Sequence, residues 1–318
     1  MDSLLKAKEI IKKKYDENNS NYPLFLLSLY GILKKYPNEE KLIEDIFLKT
    51  DTYIEEDSIS NILKRHNINC FDYDEEEQEE NTIYGISSHN HNLIIGEDET
   101  ISFQDENPFL VCSKKECNPT LLLNTFIHEL LHLIKSDKDN FYYQVNHKDF
   151  SYYIRSGISH YEYHYDSKED TLTSLEYFDT LDEAINVIET TEVMENILSI
   201  KDIIEDDKIK NYFNSLDTQL FTKDSGYEEA VSIIRPLWKL DSFKELVSNN
   251  ILEGNIKEII EEFDSKTYPS AFEELAELID EIDSLAGTNK RNKKLIRYKR
   301  KVNEIISLYK KNIYTKVK

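Results

Sequence analysis

Apolar positions along the chain change their spacing four times, and each change predicts a switch between helix and strand. Up to about residue 68 they come in short bursts at helical spacing. Met1–Lys12 reads as an amphipathic helix, Pro23–Tyr30 opens a second helix, and Leu42–Phe47 belongs to a third. From Thr82 to Cys112 the spacing shortens to that of strands. Ile83-Tyr84-Gly85-Ile86 and Leu93-Ile94-Ile95-Gly96 flank His89-Asn90-His91-Asn92, which reads as a hairpin turn, and Phe109–Cys112 is a further apolar run. Asn118-Pro119 is a helix start, with Asn as N-cap and Pro in the first turn. Behind it Leu121, Leu122, Leu123, Phe126, Ile127, Leu130, Leu131, Leu133 and Ile134 cover nearly every face, so this helix belongs in an interior. Phe150–Tyr165 is aromatic and strand-like, with Gly157 marking a bend or close approach. From Leu181 onward the pattern is helical, with breaks near Asp224–Gly226, Glu253–Asn255, Tyr268–Ser270 and Gly287–Asn289. The expectation is an α+β chain, predominantly α-helical. It divides into a helical N-terminal region (1–68), a mixed core (69–200) and a helical C-terminal region (201–318).

The interior helix carries the chemistry. His128-Glu129-Leu130-Leu131-His132 places two histidines four residues apart, about 400° around the helix, so both imidazoles leave the same face. There they can give two nitrogens to one tetrahedral zinc. Glu129, about 100° further round, stands beside the metal and can take a proton from an activated water. Two histidines and a glutamate on a buried helix are costly unless paired or metal-bound. The structural alternative is a core histidine pair satisfied by carbonyls, which leaves Glu129 without a role.

A catalytic zinc takes three protein ligands and keeps one position open. The H-x-x-G-x-x-H continuation fails, because residues 135 and 138 are both Lys. His147, His160 and His164 are isolated candidates. The remaining class is a glutamate on a second helix, and Leu181-Asp182-Glu183-Ala184-Ile185-Asn186-Val187-Ile188-Glu189-Thr190 supplies one. This segment resembles the second-helix motif of the gluzincins, the thermolysin-like zinc metallopeptidases, in which a Glu followed by a small residue binds the metal. The resemblance covers roughly residues 82–200. It implies a zincin-like core, made of a small sheet, an active-site helix and a Glu-bearing second helix, with helical extensions at both ends. It also implies His128, His132 and Glu183 as zinc ligands and Glu129 as general base of a peptide hydrolase. The chain departs from the pattern where an acid is expected four residues after the ligand: Val187 stands there, with Asn186 as a substitute partner for a ligand imidazole. Thr180-Leu181-Asp182-Glu183 also fits a capping box, which would spend Glu183 on the backbone unless Asp179 is the cap. Glu189, His160 and His164 are the other candidates for third ligand. Tyr153, His160, Tyr161 and Tyr163 are candidates to stabilise the oxyanion. A strand between Thr82 and Cys112 is expected to receive substrate along its edge.

Composition limits the partners. The 318 residues carry a net charge of −23, unevenly spread. Residues 290–318 hold twelve Lys/Arg against Glu304 alone, a net +11, so the remainder carries −34. An acidic body repels nucleic acid and anionic membrane. The basic tail is apolar at Leu295, Ile296, Val302, Ile305, Ile306, Leu308 and Tyr309, which predicts a helix docked back onto that body. No run reaches the roughly 18 apolar residues of a membrane span, and the N-terminus lacks a secretion-signal pattern. Three cysteines, Cys70, Cys112 and Cys117, form no C-x-x-C motif and fit a reducing cytoplasm. Cys112 and Cys117 precede the histidine helix and are expected to be small core residues rather than ligands. The expected partner is a peptide or protein substrate, with the C-terminal helices as a further protein-binding surface. The alternative to an enzyme is a non-catalytic, metal-stabilised binding protein on the same scaffold. A repressor-cleaving protease would carry a helix-turn-helix, which the chain lacks.

Overall fold

The computed structural model describes residues 3–68, 84–88, 91–95, 101–105, 107–115, 117–136, 141–144, 150–166, 168, 171–201, 203–223, 226–285 and 293–315. In chain order the elements are α1 (Ser3–Lys12), α2 (Tyr22–Lys35), α3 (Glu40–Lys49), β1 (Asp51–Glu55), α4 (Ile59–His66), β2 (Gly85–Ser88), β3 (His91–Ile95), β4 (Ile101–Asp105), β5 (Phe109–Ser113) and α5 (Pro119–Lys135). They continue with β6 (Phe141–Gln144), β7 (Phe150–Ser156), β8 (Ser159–Asp166), β9 (Thr171–Tyr177), α6 (Asp179–Leu198), α7 (Asp207–Asn214), α8 (Glu228–Trp238), α9 (Asp241–Ile251), α10 (Ile256–Ser265), α11 (Ala271–Asp283) and α12 (Lys293–Thr315). The chain is thus mostly helical with small sheets, as its spacing predicts. It divides into two units: Met1–Gly96, Ile101–Ile134 and Glu189–Lys223 in the first, Glu97–Thr100, Lys135–Ile188 and Asp224–Lys318 in the second. The division passes between the last two residues of α5 and through the middle of α6.

The first unit is built around β5, which is buried at every position. A strand apolar on both faces needs a neighbour on each edge and a cover on each face. β1 pairs with it in parallel, Asp51 opposite Phe109, and β2 antiparallel, Gly85 opposite Cys112. On one face Phe109 and Val111, with Tyr53 and Ile86, pack on Ile59, Ile62 and Leu63 of α4. On the other, Gly85 and Ser87 meet α5 at Thr125 and Glu129. α5 starts as expected, with Asn118 Oδ1 accepting from the N–H groups of Thr120 (3.0 Å) and Leu121 (2.9 Å). Its Phe126 ring lies 5.4 Å from Phe25 of α2, which in turn meets Tyr15 and Phe47 of α3.

Two sequence expectations are corrected here. The region read as wholly helical up to residue 68 contains β1, whose five residues are too short to display alternation. Among the described residues, the hairpin expected between 83–86 and 93–96 does not appear as a pairing of β2 with β3. β2 pairs with β5 instead, while β3 pairs with β4, His91 opposite Asp105 and Ile95 opposite Ile101. β5, buried at every position, has β1 on one edge and takes β2 on the other. The acidic run 72–80, Cys70, His89, His147 and the break at 287–289 lie outside the described residues.

The second unit holds the antiparallel meander β6-β7-β8-β9 and the C-terminal helices. Gly157 turns β7 into β8 at φ +62°, and the turn is clamped to the start of α6 by Ile158 N–H donating to Asp182 Oδ1 at 2.7 Å. Arg155, fully buried, donates to the carbonyls of Gly157 (2.7 Å) and of Ile251 at the end of α9 (3.1 Å). α12 docks as the charge pattern predicts. Leu295, Val302, Ile305, Ile306 and Tyr309 are buried, with Tyr309 stacked 4.6 Å from Phe263. Its lysines meet acids: Lys294 with Glu281 at 2.9 Å, Lys299 with Glu229 and Lys301 with Glu274. Such exposed pairs add little each, so the apolar stripe holds the helix. Ile296, counted with that stripe in the sequence, is instead 56% exposed. No described helix is long and apolar enough to cross a membrane.

A Cβ on residue 157 would stand 2.0 Å from Asp182 Oδ1, in a left-handed backbone conformation. Gly157→Ala is therefore expected to lose about 2–4 kcal/mol of stability in chemical denaturation, from backbone strain and the displaced Asp182 bond.

Candidate metal centre

His128 and His132 stand one turn apart on α5, and their Nε2 atoms converge to 3.1 Å. The ring centroids are 4.8 Å apart and the planes cross at 74°. Two nitrogens each about 2.0–2.1 Å from a tetrahedral zinc lie about 3.3 Å apart, so the histidines already present nearly the required bite. Glu183 lies in the second turn of α6, beside the fully buried Ala184. One donor atom from each of His128, His132 and Glu183 lies within 4.8 Å of the others. This group could hold a metal ion, and among the described residues it is the only such group of three or more His, Cys, Asp or Glu side chains. The capping-box alternative for Glu183 requires α6 to begin after Thr180. The helix begins at Asp179 instead, its first bond running from Asp182 N–H to the Phe178 carbonyl at 2.9 Å.

The competing candidates are placed elsewhere. Glu189 is fully buried, accepts from the Tyr36 hydroxyl at 2.5 Å and lies 3.4 Å from Lys35 Nζ. Burial and the neighbouring Glu189 push the Tyr36 hydroxyl well above its ordinary value, so it stays a donor. His160 stacks on Tyr177 at 4.5 Å with Phe178 edge-on at 5.7 Å, and burial lowers its pKa. His164 lies 3.6 Å from Glu162. The side chains of His91, Tyr153, Tyr161 and Tyr163 lie outside the described residues. Asn186 Oδ1 accepts from the buried Lys135 Nζ at 2.7 Å, so the partner seen for it is the lysine three residues after His132.

Cys112, fully buried, faces the same side of the sheet as Gly85. Burial and then the charge of Glu129 hold its thiol well above the ordinary range. Burial pushes Cys117 up to about 11. Cys112 is thus the small core residue expected, whereas Cys117 is only partly buried, and neither belongs to the metal-competent group.

Ser87 and Gly85 are the site residues that sequence reading missed. Ser87 Oγ donates to Glu129, 2.9 Å from Oε2 and 3.0 Å from the carbonyl oxygen. At Gly85 a Cβ would stand 2.4 Å from Thr125 Cγ2 and 2.9 Å from Glu129 Cγ. A glycine inside an apolar strand run was the available signal, because it marks close backbone approach. Neither a family model, nor a curated protein, nor a solved structure matches this chain. The reading of the site therefore rests on its own residues.

Glu189→Gln is expected to leave metal stoichiometry unchanged while costing about 1–3 kcal/mol in denaturation, through weakened bonding to Tyr36 and Lys35. The protonated thiols contribute stability fully present below pH 9 and lost as pH rises towards about 11, where the folded Cys117 titrates. The unfolding midpoint of the Cys112→Ala/Cys117→Ala variant should accordingly fall less steeply between pH 9 and 11 than that of the parent chain.

Proposed function

We propose that this chain is a zinc-dependent metallopeptidase with a gluzincin-type donor set. The observation that carries the reading is the 3.1 Å convergence of the His128 and His132 Nε2 atoms, with a Glu183 carboxylate oxygen within 4.8 Å. Two imidazoles and one carboxylate suit zinc among the common divalent ions. Bound there, zinc supplies a Lewis acid for the scissile carbonyl and makes water nucleophilic near neutral pH. Glu129, next in sequence to His128, takes the proton of the attacking water and returns it to the leaving amine. The strand assigned to guide an extended peptide substrate is β2, which pairs with β5. Substrate held in that direction runs past Glu129, because Gly85 and Ser87 of the same strand touch it.

The test is elemental analysis of protein purified without chelator, in parallel with a peptide-library assay. Wild type and Glu129→Gln are expected to carry one zinc per chain, and Glu183→Ala to lose it. Glu129→Gln is expected to lose about a thousandfold in kcat with metal retained. Full metal retention in Glu183→Ala would overturn the donor set. A zinc-loaded wild type that cleaves nothing in the library would favour the non-catalytic binding protein.

A further inference from the structure

β2 holds the Glu129 side chain from two directions. Ser87 Oγ reaches Oε2 at 2.9 Å and the residue's own carbonyl oxygen at 3.0 Å. On the other side, a Cβ at Gly85 would stand 2.9 Å from Glu129 Cγ and 3.1 Å from Oε1, so the glycine lets the side chain lie close against the strand. Residues 85 and 87 share a face because strand side chains alternate, and Ile86 between them joins the apolar cluster on the opposite face. The register of β2 is fixed by β5, with Gly85 opposite Cys112 and Ser87 opposite Leu110, both fully buried. A slip of one residue would turn Ile86 towards Glu129 and Ser87 into the apolar cluster, so the two contacts are anchored by the core.

We propose that Ser87 is a positioning residue for Glu129: with Gly85 as the facing wall, its hydroxyl fixes the orientation of the carboxylate. A glutamate carboxylate ends three rotatable bonds and samples many orientations unless it is held. Proton transfer to the attacking water requires one of them, within hydrogen-bond reach. The catalytic consequence rests on the peptidase reading of this site, whereas the contact between Ser87 and Glu129 does not.

The experiment uses the full chain loaded with zinc, as Ser87→Ala and Ser87→Thr. Ser87→Ala is expected to keep one zinc and to lower kcat about tenfold with KM unchanged. Ser87→Thr, which restores the hydroxyl, is expected to recover most of the loss. A thermal double-mutant cycle with Glu129→Ala reads the contact without any turnover: the two single Tm shifts should exceed the shift of the double variant. Non-additive Tm shifts in a wild type that holds zinc but cleaves nothing would keep the positioning contact and discard the peptidase reading. An unchanged kcat in Ser87→Ala, additive Tm shifts, no recovery in Ser87→Thr, or loss of zinc from Ser87→Ala would each overturn the proposal.

Discussion

A helix that is apolar on nearly every face has to be enclosed, and α5 is such a helix. Leu123, Phe126, Ile127, Leu130, Leu131, Leu133 and Ile134 are all buried. Polar side chains on the same helix lose part of their water, and Lys135 loses all of it, so they turn to partners from the protein. Glu129 finds Ser87, and Lys135 finds Asn186. His128 and His132 face one another at 3.1 Å, a separation that suits a shared ion. The surrounding architecture follows from this requirement. A sheet with a bare glycine covers one side of α5, and Phe25 of α2 packs on Phe126.

The second helix obeys the same rule over a longer span. α6 carries Asp182, Asn186 and Glu189, all buried, along with Glu183. Asp182 accepts from the backbone of the β7–β8 turn, and Glu189 is matched by Tyr36 and Lys35. Burial works against the Lys35 ammonium, but Glu189 and Glu192 outweigh it and hold it charged. Breaking one partner of such a cluster leaves a buried charge uncompensated, so these contacts resist change more than they add stability. They fix where α6 begins and how it is turned, and the side of α6 that presents Glu183 follows from that.

Much of this was legible in the residues. The Asn118-Pro119 start, the histidine pair, the Glu-Ala dipeptide of α6 and the docked basic helix are local patterns, and helices express local patterns faithfully. What was hidden depends on pairing across the chain. β1 and β5 are more than fifty residues apart and pair in parallel. No neighbouring sequence announces such a match. The pairing of β2 with β5 skips over β3 and β4, and no single segment shows it. Ser87 was invisible because serine is common in strand ends and turns, and only the facing Glu129 gives it meaning. Glu189 looked like an alternative ligand because type and spacing do not reveal Tyr36, which arrives from a helix 153 residues away.

The thiol of Cys112 gives this arrangement an unexpected indifference to its surroundings. It lies in the core behind Gly85, sealed from solvent and held in its neutral form by burial and by the glutamate charge in front of it. Oxidants and electrophiles act on exposed thiolates, and Cys112 is neither exposed nor ionised. Cys112, whose thiol feels the charge of Glu129, thus imposes no redox requirement, and its presence does not tie the chain to a reducing compartment.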